Sequence, residues 1–437
     1  MSALAAGDVE SRTTRKLRRR LIPLLFILYV VSYLDRINIS FAGLTMNRAL
    51  GITGGQFGLL VSIFFWGYLV FQIPSNLMLH KIGARIWICC LLLSWGLAAM
   101  LSGAAQSVRQ LYVMRFLLGA AEAGSFPGMV LYLTYWFRRG EQARMISLFM
   151  IGLPVASILG APASGFILDH AHWAAISSWR WLLLLEGLPA LVCGGLTYFV
   201  LPSRPAEATF LTQEEKIWIA AGLASEGQGR TGERSISALR ALAHPRVWHL
   251  TCAEFMFAIA LYAMSFYMPQ AVQSLSSGYT NTVVGVLVMV PHLAGLVAMV
   301  LVSRSSDRRL ERRCHAAFSA MVGGAALLLL GTTSSPLLSI AIWSFAAMGI
   351  YGFLGPFWSL PSEFLTGFSA ASGIALINTA GGLGGVAGPS AIGALAGRTG
   401  GIYGGLAFAG VSLFVSATLI LLLPQRSARR LPMDPAR

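Results

Sequence analysis

The sequence predicts an all-α integral membrane protein with twelve transmembrane helices in two six-helix halves. Three observations lead to this prediction. The 437 residues are 56% hydrophobic and only 11% charged, with a mean hydropathy of +0.69, whereas soluble proteins carry about 25% charged residues. Apolar stretches of about 20 residues, the length that crosses the hydrocarbon core, recur along the chain. One long polar segment divides these stretches into two groups of six.

The apolar stretches define the two halves. The first six occupy 21–42, 57–79, 86–105, 109–136, 143–168 and 179–201. The second six occupy 247–270, 280–302, 314–332, 337–361, 370–396 and 402–424. They are too long and unbroken for a β-barrel, whose strands alternate polar and apolar residues over about ten positions. We therefore expect an N-terminal half at 1–201, a linker at 202–246, and a C-terminal half with a polar tail at 247–437.

The loops carry a strong charge asymmetry that predicts the orientation. Of the 32 Lys and Arg residues, 26 lie in the two tails, the linker and the loops on the same side, and four lie in loops on the other side. The positive-inside rule places the Lys- and Arg-rich side in the cytosol. Both termini and the linker are thus expected in the cytosol. Because this rule accounts for the net charge of +15, we expect no nucleic-acid partner.

The composition of the spans argues against an enzyme. The five cysteines have no CxxC or other metal-ligand spacing. The sequence shows no paired catalytic constellation in the spans and no Gly-rich nucleotide-binding loop. We therefore expect no catalytic residues, no metal and no cofactor. A membrane sensor that does not transport is an alternative at this point.

The two halves share motifs that are separated by a constant 227 residues. Gly160-Ala161-Pro162 in the fifth span matches Ala387-Gly388-Pro389 in the eleventh. Parallel repeats of this kind are typical of transporters that hold substrate near the midplane between their halves. A second pair of motifs follows the second and eighth spans and begins with His80 in the first copy. It supplies the candidate gating residues Lys81, Arg85, Asp307, Arg308 and Arg312.

Four of the charged residues inside the spans form the candidate core site, at a depth where a charge costs about 2.5–3.5 kcal/mol on insertion scales. They are Asp35 and Arg36 in the first span, and Arg115 and Glu122 in the fourth. Such residues usually face a wet cavity and mark a substrate or ion path, although a buried ion pair that only locks two helices is the alternative. At 1.5 Å per residue, the first three lie at similar depth, and Glu122 lies about 10 Å closer to the cytosol. Arg115 can therefore lean towards Asp35 or towards Glu122.

Aromatic and polar residues of the spans are candidate substrate contacts. Tyr29, Tyr33 and Arg36 form one stripe along the first helix. A guanidinium flanked by phenol hydroxyls suits a carboxylate, which Arg grips with two parallel hydrogen bonds. An interhelical hydrogen bond or a core position explains each of the other candidates at least as well: Tyr68, Gln72, Tyr262, Trp358 and Asn378. The roles of Glu186 and Glu254, which also lie in spans, stay open.

Several motifs occur in an order that is found in one known family. Tyr33-Leu34-Asp35-Arg36-Ile37-Asn38 in the first span resembles the Y-x-D-R-x-N signature of the anion:cation symporter family within the major facilitator superfamily. The similarity extends over nearly the whole chain. Other matching motifs are Arg115-Phe116-Leu117-Leu118-Gly119, Glu122-Ala123-Gly124, Gln72-Ile73-Pro74-Ser75-Asn76, Trp179-Arg180-Trp181 and Leu201-Pro202. Within the family, the chain looks most like bacterial carriers of tartrate, 4-hydroxyphenylacetate and phthalate type.

The resemblance implies a major facilitator fold and proton-driven uptake of a small organic carboxylate across a bacterial inner membrane. By resemblance, Arg36 and Tyr33 bind the anion, Asp35 and Glu122 carry protons, Arg115 is the charge partner of Glu122, and Asn378 contacts substrate. The expected partners are a small organic anion, protons and the lipid bilayer, and we expect a monomer. An anion exchanger or exporter of the same fold is the alternative, because a sequence does not determine the direction of transport.

The sequence departs from the family pattern at three positions. Two of these departures limit the range of expected substrates, and the third concerns a gating loop. Leu153 stands where the sugar-acid branch has a Gln for substrate hydroxyls. The seventh span carries Glu254 and no Arg or Lys, so a second cationic anchor from the C-terminal half is missing. We therefore favour a monocarboxylate or a small hydroxy acid. His80 replaces the Asp of the usual loop motif, which predicts a weaker gating contact in this half.

Overall fold

The computed structural model describes residues 3–227, 242–276, 278–365 and 367–423. These residues form long α-helices joined by short turns, loops and 3₁₀ segments. Part of the predicted linker, at 228–241, and the C-terminal tail, at 424–437, lie outside the described residues.

In the described residues, eight helices form the N-terminal half and a ninth lies in the linker. They are α1 (Ala3–Leu50), α2 (Gly54–Ile82), α3 (Ala84–Ser102), α4 (Val108–Glu122), α5 (Ser125–Thr134), α6 (Arg139–Met150), α7 (Gly152–His170), α8 (Ser178–Val200) and α9 (Gln213–Gly227). The fourth predicted span is interrupted at Ala123 and Gly124, so that it becomes α4 and α5. The fifth predicted span begins within α6 and continues as α7, with Ile151 between them.

Six helices form the C-terminal half in the described residues. They are α10 (Pro245–Gln273), α11 (Asn281–Arg309), α12 (Arg313–Leu329), α13 (Pro336–Ser359), α14 (Gly367–Thr399) and α15 (Tyr403–Leu421). Each of the six coincides with one predicted span. Three of them, α10, α11 and α13, begin at a Pro or at a Thr cap, residues that N-termini of helices favour.

Eleven helical segments of the described chain have the length and hydropathy of a membrane span. They match eleven of the twelve predicted stretches. The twelfth stretch, 370–396, lies within α14, which has 33 residues and is rich in glycine. Glycine adds little hydropathy, and this helix is not among the eleven. The predicted all-α membrane architecture is confirmed.

The first helix is longer than the sequence predicted. Its expected span was 21–42, but α1 runs from Ala3 to Leu50 and includes most of the polar tail. Arg and Lys are good helix formers, and the tail is also paired: Lys16 Nζ lies 2.8 Å from Glu215 of α9. Arg12 contacts the same carboxylate at 3.3 Å. The linker helix α9 therefore packs against the N-terminal half.

The halves meet along two symmetric crossings, where α2 packs on α14 and α7 packs on α11. A Cβ on Gly58 would lie 2.3 Å from the carbonyl oxygen of Pro389, and one on Gly285 would lie 2.3 Å from the carbonyl oxygen of Ala161 and 3.0 Å from Pro162. Gly58 and Gly285 are 227 residues apart, as are the two prolines. The repeated motif thus marks the places where the two halves touch backbone to backbone.

Candidate substrate cavity and its charged residues

A cavity of about 2770 Å³ lies between the two halves. Its wall includes Arg204, Lys216 and Arg312, which belong to the loops and linker rich in Lys and Arg. The cavity therefore opens at this end of the helix bundle, which we call the basic face. At the other end the two crossings bring the halves together, and we call that end the sealed face.

The structure brings all eight predicted substrate contacts to the wall of this cavity. They are Tyr29, Tyr33, Arg36, Tyr68, Gln72, Tyr262, Trp358 and Asn378. They come from both halves, on α1, α2, α10, α13 and α14. Three predicted charged residues lie behind the wall instead: Asp35 and Glu122 are 0% exposed and Arg115 is 1% exposed.

Arg36 and Glu122 form an ion pair at the edge of the cavity. The Arg36 side chain is 12% exposed, while that of Glu122 is buried. The guanidinium also faces aromatic rings, 5.2 Å from the centroid of Tyr68 and 5.4 Å from that of Phe64, a cation–π arrangement. Ser32 Oγ donates a hydrogen bond of 2.7 Å to Glu122 Oε1. Glu122 thus links the helix that carries Arg36 to α4.

The pairing of Glu122 differs from the expected one. The sequence suggested Arg115, but the structure pairs Glu122 with Arg36. Long helical side chains lean towards the helix N-terminus, and Arg115 lies two turns N-terminal of Glu122, so that it leans away. The Arg115 guanidinium lies 4.9 Å from the ring centroid of Phe64. Its Nε and Nη2 have no hydrogen-bond partner among the described residues.

Asp35 lies in a second buried polar cluster inside the N-terminal half. Trp95 Nε1 donates a hydrogen bond of 3.0 Å to Asp35 Oδ2. Nearby, Ser164 Oγ donates a hydrogen bond of 2.5 Å to Glu186 Oε1, and the Asp35 and Glu186 carboxyls act on each other electrostatically. Trp95 and Ser164 were missed by sequence reasoning, because a Trp or Ser inside an apolar span looks like any core residue.

The first predicted gating loop is tied to the start of the linker. Arg85 Nε donates a hydrogen bond of 2.7 Å to the carbonyl oxygen of Leu201. The Arg85 guanidinium lies 3.7 Å from the Glu207 carboxylate, and Lys81 is exposed. The side chain of His80 lies outside the described residues. In this loop, Arg85 therefore fixes the loop to its own half.

The second predicted gating loop is closed by an ion pair between Asp307 and Arg312. Both residues line the mouth of the cavity, while Arg308 is exposed. Ser306 Oγ accepts a further hydrogen bond of 3.1 Å from Arg312. The two loops thus occupy equivalent places at the basic face, as the repeat predicts, but Asp307 gives only the second copy an internal carboxylate.

The sealed face also carries polar contacts between the halves. Asp169 at the end of α7 accepts four hydrogen bonds of 2.7–3.1 Å from the start of α11, two from Asn281 and two from Thr282. At the other crossing, Ser390 Oγ donates a hydrogen bond of 2.7 Å to Ser62 Oγ. The sequence analysis did not single out these residues, since polar residues at span ends are common.

The family follows from comparison of the whole chain. A model of the Major Facilitator Superfamily matches residues 25–389. The chain belongs to the Major Facilitator Superfamily. Its helices confirm the predicted fold of this superfamily, and the crystal structure of a D-xylose–proton symporter superposes with a TM-score of 0.73 at 14% identity, covering 93% of this chain and 98% of that one.

Two relatives in the superfamily are bacterial proteins named for transport. The chain is 39% identical to the "Putative tartrate transporter" of Agrobacterium vitis, over 98% of this chain and 94% of the relative. It is 37% identical to the "Putative metabolite transport protein NicT" of Pseudomonas putida, over 95% of each chain. The chain is therefore a membrane transporter of this superfamily, as its sequence predicted.

Proposed function

We propose that this transporter takes up a small organic carboxylate together with protons, by alternating access of one central site. The observation that carries the proposal is the position of Arg36, whose guanidinium lies in the cavity wall and is paired with the buried Glu122. An arginine in a cavity surrounded by phenol rings suits a carboxylate. Relatives named for tartrate and metabolite transport support an organic anion as substrate.

The ion pair supplies a mechanism for coupling. Glu122 and a substrate carboxylate compete for the same guanidinium. When Glu122 takes up a proton, it loses the charge that holds Arg36, and the positive charge of Arg36 becomes available to the anion. When the proton leaves, Glu122 recaptures Arg36 and the anion is released. Proton and anion are therefore loaded and released together, which is symport.

Asp35 and Arg115 complete the proposed coupling network. Asp35 follows Leu34 on α1 and is adjacent in sequence to Arg36. Arg115 acts electrostatically on both Asp35 and Glu122. We assign Asp35 as a second proton-binding carboxyl and Arg115 as the fixed positive charge between the two carboxyls. A change in the protonation of either carboxyl then alters the field at the other.

The orientation follows from the positive-inside rule. Placing the basic face in the cytosol puts both termini and the 202–246 linker there. The cavity then opens to the cytosol, and the sealed face lies outside a bacterial inner membrane. In this assignment the structure represents the inward-open state of a monomer, and uptake requires the two crossings of the sealed face to part.

The test is uptake of a panel of labelled monocarboxylates and hydroxy acids by proteoliposomes, with and without an inward proton gradient. We expect wild-type protein to concentrate at least one of them only with the gradient. Arg36→Lys should lose at least about tenfold in affinity, because an ammonium cannot form the paired hydrogen bonds. Arg48→Lys, at an exposed position on the same helix, is the matched control. Normal affinity in Arg36→Lys would place the anion elsewhere.

Glu122→Gln separates coupling from binding. Glutamine resembles a permanently protonated Glu122, so this variant should exchange internal for external anion at a near-normal rate. It should fail at net uptake driven by protons, since the empty carrier has no proton to release. Both assays use the same vesicles. If a correctly inserted variant lost exchange and net uptake equally, the coupling role would be wrong. The Arg36–Glu122 ion pair would then only hold the two helices together.

A further inference from the structure

Glu254 is a buried carboxyl in the cavity wall that the coupling mechanism does not use. It lies on α10 in the C-terminal half, is 6% exposed, and lines the same cavity as Arg36. Its Oε2 has no hydrogen-bond partner among the described residues. A buried carboxyl without partners is costly, because its lost hydration is not replaced.

The neighbouring helix leaves room for this carboxyl. Gly381 of α14 faces it, and a Cβ at that position would lie 3.1 Å from Glu254 Oε1. The carboxyl therefore occupies space that any larger residue on α14 would restrict. Space and an unpaired polar atom, both at the cavity wall, indicate a position that receives a polar group from a ligand.

Glu254 and Arg36 line the same cavity from different halves of the protein. Tyr262 lies eight residues after Glu254 on α10, about 12 Å along the helix. The Tyr262 hydroxyl is within electrostatic range of both Arg36 and Glu254. Its ring packs on Phe65 of the other half, with centroids 4.4 Å apart. The cavity wall thus carries a cationic group on α1, aromatic rings from both halves, and a carboxyl on α10.

We infer that Glu254 is a specificity-determining residue, which accepts a hydrogen bond from a hydroxyl or N–H at the end of the substrate opposite the carboxylate held by Arg36. This inference rests on the proposed function, because it needs Arg36 to bind the carboxylate. A substrate donor would satisfy the unpaired oxygen of Glu254. A dicarboxylate of the same length carries no hydrogen-bond donor at that end and would leave this oxygen unsatisfied.

Matched ligand pairs test the inference on the purified full-length protein. Binding of phenylacetate is compared with that of 4-hydroxyphenylacetate, and binding of propanoate with that of 3-hydroxypropanoate, by calorimetric titration. In the wild type we expect the hydroxylated member of at least one pair to bind about tenfold more tightly, the size of one good hydrogen bond. Glutarate should bind more weakly than either hydroxy acid.

Variants at Glu254 assign this preference to the carboxyl. Glu254→Leu should reduce the ratio within the pair to about one while binding of the unsubstituted acid persists. Glu254→Gln keeps one acceptor oxygen and should retain part of the preference. Cys252→Leu, at an exposed position on the same helix, should leave the ratio unchanged.

The outcomes separate this inference from the proposed function. If carboxylates bind and depend on Arg36 but show no preference for the hydroxylated members, the inference is wrong and the proposed function stands. An unchanged ratio in Glu254→Leu, with or without loss of proton-driven accumulation, is equally a refutation, since Glu254 would then act on protons or on folding. If no carboxylate binds the wild type, both proposals fail.

Discussion

The two faces of the transporter are held by different kinds of contact. At the sealed face the halves touch directly, with Gly58 of one half against the carbonyl oxygen of Pro389 in the other. At the basic face the ion pairs described above join residues of the same half or the linker helix, as Lys16 and Glu215 do. The sealed face is therefore a contact between the halves. The contacts at the basic face instead stiffen each half or attach the linker.

This difference has a mechanical consequence. A backbone-to-backbone crossing is either made or broken, because close-packed surfaces have no stable intermediate separation. Exposed ion pairs contribute only about 0–1 kcal/mol each, and those within the described part of the chain do not bridge the two halves. The equilibrium between the two access states should thus respond strongly to changes at the sealed face and weakly to changes at the basic face.

The largest effect on transport and on closure of the sealed face is expected from Gly58→Leu. The new side chain would collide with the carbonyl oxygen of Pro389, so the sealed face could not close while each half folds normally. Transport should fall at least tenfold. A Val284→Cys reporter, fully buried at the α7–α11 crossing, should become reactive towards a water-soluble maleimide in a background without the native cysteines.

The controls for this prediction use the other glycines. Gly285→Leu should have the same effect, because Gly285 is the equivalent position in the repeat. Gly195→Leu should have none, since nothing lies within 4 Å of a Cβ at that position. Retained transport in Gly58→Leu, with Val284→Cys unreactive, would show that the crossing can adapt and that the sealed face is not a strict contact.

A second, smaller effect concerns the polar contacts of the α7–α11 crossing. Asp169→Ala removes the acceptor of four hydrogen bonds from Asn281 and Thr282. We expect a destabilisation of the closed sealed face by about 1–3 kcal/mol, which is read as an increased labelling rate at Val284→Cys. Asp169→Asn keeps one acceptor oxygen and should show about half of the effect. Equal labelling of all three proteins would mean that Asp169 caps α11 without holding the halves together.

Sequence reasoning succeeded where the membrane leaves few choices. Every backbone polar group in a bilayer must be satisfied locally, so long apolar stretches have to be helices, and the spans followed from hydropathy. The sequence named Arg36, Tyr262 and Asn378 as candidates for one site, and the structure places all three in the wall of one cavity. The Gly- and Pro-containing motifs at constant spacing revealed the repeat. They did not reveal that Gly58 and Gly285 are the residues that pack against these motifs.

Sequence reasoning failed where the outcome depends on how side chains lean and on what lies across a helix interface. Spacing left Arg115 able to lean towards Asp35 or Glu122, and it gave no sign that helix contacts bring Glu122 to Arg36. The indole of Trp95 gave no sign that it holds Asp35. The charged tail looked separate from the first span, yet its pairing with Glu215 makes it part of α1. Each failure concerns a partner from another helix, which periodicity within one helix cannot reveal.

A third effect compares the two crossings directly. Ser390→Ala removes one hydrogen bond to Ser62 at the α2–α14 crossing, and a single neutral hydrogen bond contributes about 0.5–1.5 kcal/mol. Labelling of Val284→Cys should therefore rise less than in Asp169→Ala, by about two- to tenfold. A larger rise in Ser390→Ala would reverse the order of the crossings and make α2–α14 the stronger one.

The smallest effect is expected at the basic face, from the contact between α9 and the N-terminal tail. Burial raises the pKa of Glu215, but hydrogen bonds from Lys16 and the Thr212 N–H, with the charge of Arg12, outweigh it and hold this pKa below the usual 4.5. A lowered pKa stabilises the docked helix above pH 4.5, and that stabilisation is lost as the pH falls through and below 4.5. Hydrogen exchange of α9, corrected for intrinsic rates, should therefore lose protection between pH 6 and pH 4, by less than about tenfold because Lys16 and Arg12 are partly exposed.

Glu215→Gln tests the source of this pH dependence. The side-chain amide has no charge to lose. In this variant, α9 should therefore show the same reduced protection from hydrogen exchange at both pH values. Glu214→Gln is the matched control, because Glu214 is 50% exposed and contacts Arg12 at 3.3 Å, and it should keep the wild-type pH dependence. Transport by Glu215→Gln should stay within about twofold of wild type, since the ion pairs of α9 in the described residues join it to the N-terminal half. A loss of transport as large as that of Gly58→Leu would show that the basic face also controls access, and the contrast between the faces would fail.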